Sequence, residues 1–129
     1  MKKLLFLFIL LALCVQTNAQ TSLNVTFRWT APHDDWNDTT SGACDRYEMR
    51  MTTDTTQVWG SWVEIPGLPS PSAPGTSETF ITLIQDLSSQ TPYFFALRAY
   101  DESNNYSRSN IIYRTTVDRT APSVITISW

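Results

Sequence analysis

The sequence predicts an all-β domain of antiparallel strands, and two features carry that reading. Leu23, Val25, Phe27 and Trp29 alternate with Asn24, Thr26, Arg28 and Thr30, and Tyr93, Phe95, Leu97 and Ala99 alternate with Phe94, Ala96, Arg98 and Tyr100. Successive strand side chains point to opposite faces, so each stretch offers one face to a core. Ahead of the second stretch, Leu87, Thr91 and Tyr93 stand at the spacing of a corner in which a tyrosine hydroxyl ties its strand to the preceding loop.

In chain order, Met1-Lys2-Lys3 is a basic head, Leu4 to Val15 is almost wholly apolar, and Thr17-Asn18-Ala19 ends on a small residue. That pattern reads as a secretory signal peptide over residues 1–19, cleaved after Ala19, and so as a secreted, extracellular or cell-surface protein. The apolar run is short for a membrane span, and no second candidate follows it. A lipoprotein reading of Cys14 meets Leu13 where a small residue belongs. The mature chain has room for one small domain, residues 20–118, with a tail over 119–129. It carries seven arginines against twelve acidic residues, a formal charge of −5, which disfavours nucleic acid or an anionic membrane as a charge-driven partner. Cleavage leaves Cys44 as the one cysteine, so no internal disulfide forms and packing must supply the stability.

After the strand ending at Trp29, residues 33–45 form a polar, acidic loop. Tyr47, Met49 and Met51 then face inward, with Glu48 and Arg50 outward. Val58 to Ile65, with Trp59 and Trp62, reads as a further strand. Four prolines over residues 66–75 exclude a central strand there. Phe80, Thr82 and Ile84 share one face of the next strand, whose other face carries Ile81 and Leu83. Asp101 to Asn105 is a polar turn, and Ile111, Ile112 and Tyr113 begin the returning strand.

The run from Leu87 to Tyr93, the strand and turn after it, and Trp29-Thr30-Ala31-Pro32 together resemble a fibronectin type III domain of the bacterial extracellular kind. Ser89 stands where that family has a proline. The resemblance covers roughly residues 22–118 and implies an immunoglobulin-like antiparallel β-sandwich with six clear strands. The family's first strand is missing or replaced. It also implies structural roles for Trp29, Tyr47, Leu87, Thr91, Tyr93, Phe95 and Leu97, with Trp29 buried. The tail, with Val124 to Trp129 strand-like, either opens a further domain or fills the edge left by the missing strand. That bare edge, beside Ile81 and Leu83, predicts strand pairing with another chain or self-association.

The candidate binding surface combines the 33–45 loop and the 101–105 turn, which such a fold brings to one end: Asp34, Asp35, Trp36, Asp38, Asp101, Glu102, Asn104 and Asn105. Asp35, Asn37 and Asp101 are the candidate calcium ligands, though the spacing matches no EF-hand and the competing account is two solvated turns bonding their own backbone. His33 and Cys44 share a loop with no third group to orient the imidazole, and Asp34, Asp35 and Asp38 crowd one loop rather than flanking a cleft, so no catalysis and no cofactor are expected. On a strand, Trp59 and Trp62 point to opposite faces, one in the core and the other free as a platform for a sugar or a partner side chain. The triplets Asn24-Val25-Thr26, Asn37-Asp38-Thr39 and Asn105-Tyr106-Ser107 fit N-glycosylation but matter only in a eukaryotic secretory pathway. The expected function is recognition of an extracellular protein or polysaccharide, adhesion, or spacing. The alternatives are the N-terminal fragment of a larger secreted multidomain enzyme and a calcium-dependent binding domain.

Overall fold

A computed structural model describes residues 21–35, 38 and 40–117. The leader (1–19), Trp36, Asn37, Thr39 and the tail from 118 onward lie outside the described residues. The strands are β1 (Thr21–Thr30), β2 (Arg46–Thr52), β3 (Val63–Ile65), β4 (Ser77–Leu87), β5 (Pro92–Tyr100), β6 (Tyr106–Arg108) and β7 (Ile112–Thr115). The described chain is thus all-β, with a single 3₁₀ turn at Trp59–Ser61. No described helix is long and apolar enough to cross a membrane.

The strands form two antiparallel sheets. β1 pairs with β4, from Thr21 opposite Leu87 to Thr30 opposite Ser77. Between Thr21 and Leu23 the register slips, and Asp86 on the facing strand takes a positive φ of 59°, the backbone signature of a bulge. The second sheet runs β3-β2-β5, with β6 and β7 sharing the far edge of β5.

Period-two alternation decides which side chains meet. Val25 and Phe27 of β1 and Ile84 and Leu87 of β4 share one core with Tyr47 and Met49 of β2, Ile65 of β3, and Tyr93, Phe95 and Leu97 of β5. Phe95, 1% exposed, lies edge-on to Phe27 across the two sheets, ring centres 5.3 Å apart. Burying such a side chain contributes roughly 1.5–3 kcal/mol.

The expected corner is present in its geometry. Ser88 N–H donates to the Tyr93 hydroxyl at 3.0 Å, and the Thr91 hydroxyl donates to Ser89 O at 2.9 Å. Thr116, buried, completes it: its hydroxyl accepts from Thr91 N–H at 3.0 Å and donates to Ser88 O at 2.6 Å, pinning the end of β7 to the loop before β5.

Four expectations are corrected. The stretch 58–65 is a strand only over Val63–Ile65, because Trp59–Ser61 turns instead. Arg50 holds that turn by donating to the carbonyls of Trp59, Gly60 and Trp62 at 3.2–3.3 Å. Trp59 and Trp62 therefore do not diverge to opposite faces; their rings lie 5.4 Å apart, and Trp62 is buried. The returning strand starts at Tyr106 rather than Ile111 and is split in two. Between the halves the Ser109 hydroxyl accepts from Leu97 N–H at 3.0 Å, replacing a ladder carbonyl. Trp29 is half-buried rather than buried, packed at the margin of the core with its ring edge-on to Tyr47 at 5.3 Å.

Candidate binding site

Because β1 ends and β2 begins at one end of the molecule, the 33–45 loop closes there, stapled by a bridge between His33 and Ala43 and by Asp34 N–H donating to Gly42 O at 3.0 Å. β5 ends beside it, with Asp45 N–H donating to Tyr100 O at 2.7 Å, so the 101–105 turn meets the loop. Between them lies a cleft of about 530 Å³ lined by His33, Asp34, Asp35, Asp101, Tyr106 and Arg108, with Cys44 and Asn105 among the remaining wall residues.

The carboxylates divide into two kinds. Asp101 is spent on its own turn: Asn105 N–H and Asn105 Nδ2 each donate to it at 2.7 Å, and those bonds hold its carboxyl below the ordinary range. Asp38 is occupied likewise, accepting from the Thr40 hydroxyl at 2.6 Å and Thr40 N–H at 2.8 Å, with its carboxyl lowered by them. Asn104 (φ 64°) accepts from Arg46 Nη2 at 2.8 Å and does not line the cleft. Asp34 differs. Desolvation and the neighbouring Glu102 carboxyl, with Asp35 and Asp101 adding repulsion, push its carboxyl above the ordinary range. Its Oδ1 lies out of solvent without a partner.

Of the calcium candidates, Asp35 and Asp101 reach the cleft and Asn37 lies outside the described residues. Among the described residues no group of three His, Cys, Asp or Glu side chains is placed to hold a metal ion. Cys44 is buried in the core, and burial pushes its thiol up, away from the thiolate that a nucleophile requires. His33 makes one long contact, its Nδ1 lying 3.4 Å from Ser41 O.

Two constellations escaped the sequence reading. Glu78 is only 5% exposed; it accepts from Ser72 N–H at 2.6 Å and from the Tyr47 hydroxyl at 3.2 Å, tying the proline-rich loop to the core. Its inward parity with Phe80, Thr82 and Ile84 is the signal that marks it. On the outer face of the five-stranded sheet, Arg98 lies between two rings, its guanidinium carbon 4.3 Å from the centre of Trp59 and 3.7 Å from that of Tyr106. Arg46 covers Tyr100 at 4.1 Å, and Tyr100 and Tyr106 are 5.7 Å apart. The outward parity of Arg98 and Tyr100 was legible; the Trp59 turn that brings a ring over Arg98 was not.

No family model, no curated protein and no solved structure matches this chain.

Proposed function

We propose that the chain is a secreted, non-catalytic module, an immunoglobulin-like β-sandwich of the fibronectin type III kind without its first strand. On this reading it recognises an extracellular protein or polysaccharide through its loop end. One observation carries the proposal: two loops far apart in sequence frame one open cleft, at whose wall Asp34 is crowded by the Asp35, Asp101 and Glu102 carboxylates. Unsatisfied, crowded acceptors are costly for folding and are relieved by a donor-bearing ligand. The Tyr93 corner, the shared core and the order of the strands support the sandwich, and the raised Cys44 thiol supports a role without covalent chemistry.

The test is to probe the full secreted chain on peptide and glycan arrays beside the triple variant Asp34→Asn, Asp35→Asn, Glu102→Gln. The expected outcome is binding that the triple variant loses while its melting temperature holds. Wild-type binding to no array feature, or binding indifferent to the three substitutions, overturns the reading.

A further inference from the structure

The outer face of the five-stranded sheet meets the acidic cleft at Tyr106 and Arg108, which stand in its wall, and runs on from there over Arg98 and Trp59. Arg98 on β5 stands directly opposite Arg108 on β6, and cross-strand partners share a face. Among the described residues the ion pairs are Arg46 with Asp45 and Arg50 with Glu48, so neither Arg98 nor Arg108 has a carboxylate partner. Arg50 is consumed by Glu48 and the three carbonyls of the Trp59 turn. Arg98 is held but not satisfied: the rings of Trp59 and Tyr106 pack against its guanidinium, and its Nε lies out of solvent without an acceptor. A guanidinium clamped in this way has already lost its side-chain freedom, and its planar fork matches a carboxylate in two parallel bonds. Beside it, Tyr106 stays 53% exposed, a ring suited to the apolar face of a sugar.

We propose that this face, centred on Arg98 and Arg108 with the rings of Tyr106 and Trp59, binds a carboxylated polysaccharide. Charge complementarity is local here. A chain of formal charge −3 repels polyanions at long range, so recognition must come from the fork and the ring rather than from a general positive field. Two unpaired guanidinium groups side by side gain from a shared anion, and an exposed ring next to them selects an anion carried on a sugar.

The experiment is affinity electrophoresis of the full chain through gels holding polygalacturonate, with uncharged dextran and polyglutamate as controls. Retardation by polygalacturonate at least about tenfold stronger than by either control is expected. Arg108→Gln, at an exposed position outside the ring stack, should weaken it several-fold without affecting the melt. Arg98→Lys keeps the charge and loses the fork, and should weaken binding about tenfold, where a mere field effect would leave it unchanged. Asp86→Asn makes the same change of charge on the two-stranded sheet, away from this face, and should have no effect. Equal retardation by polyglutamate would make the ligand an acidic protein and overturn the proposal. So would the absence of retardation, or binding indifferent to both arginine variants.

Discussion

On its solvent side the five-stranded sheet is covered by its own side chains: Trp62, Trp59, Arg98, Tyr106, Tyr100 and Arg46 lie against one another, and Glu48 accepts from the Tyr100 hydroxyl at 2.6 Å and from Arg50. Among the described residues the two-stranded sheet has no comparable cover. Ile81 and Leu83 are 66% and 53% exposed, and among the described residues nothing pairs with the free edges of β1 and β4. The reason is width. Long side chains on β5 find strands on both sides to lie across, whereas a ribbon two strands wide, at about 4.8 Å between strands, gives an arginine or tryptophan nothing to rest on. The same alternation that builds one core thus finishes one outer surface and leaves the other open.

The largest expected effect tests whether the two sheets are one unit at all. Phe95 belongs to the finished sheet but packs on Phe27 of the other, so Phe95→Ala should cost about 3–5 kcal/mol, measured by denaturant unfolding, with both sheets lost in one transition. Two separated transitions would mean that the sheets are only loosely coupled. Next comes the anchor of the covered face. Burial raises the Glu48 carboxyl, but the bonds from Tyr100 and Arg50 outweigh it, and the net shift is below the ordinary value of 4.5. A carboxyl lowered on folding contributes stability that is present above its unfolded pKa and is lost as pH falls through the folded one. Glu48→Gln should therefore cost about 2 kcal/mol at neutral pH, the worth of charge-assisted bonds. The gap to wild type should shrink below pH 4.5, read from melting curves across the acid range. A gap constant with pH would show that the carboxylate's charge plays no part in holding the ladder.

Much of this arrangement was legible in the residues. Alternation placed Val25, Phe27, Phe95 and Leu97 inward and left Ile81 and Leu83 outward, because parity depends on local geometry alone. The spacing of Leu87, Thr91 and Tyr93 fixed the corner, but not Thr116, which reaches it from 25 residues further on. The meeting of the 33–45 and 101–105 loops followed from topology; which carboxylates would be spent within their own turns did not, since that depends on where Thr40 and Asn105 point. The Trp59 turn was misread as strand because β-rich composition there competes with three carbonyl contacts from a distant arginine. Long-range hydrogen bonds leave no periodic trace.

The smallest expected change in stability sharpens the contrast most. Replacing Ile81 and Leu83 together by threonine keeps β-branched or compact side chains on an exposed strand and removes no core contact, so unfolding free energy should move within about 0.5 kcal/mol. Association should move far more. An open edge beside an apolar face pairs with other chains, and polar substitution beside it removes the area that makes pairing favourable. Sedimentation of wild type and double variant over a concentration series separates the two effects: the wild type should gain mass with concentration and the variant should not. A variant destabilised by more than about 1 kcal/mol would mean that the face is already covered within a single chain, since only the loss of buried apolar contact costs that much at such a position.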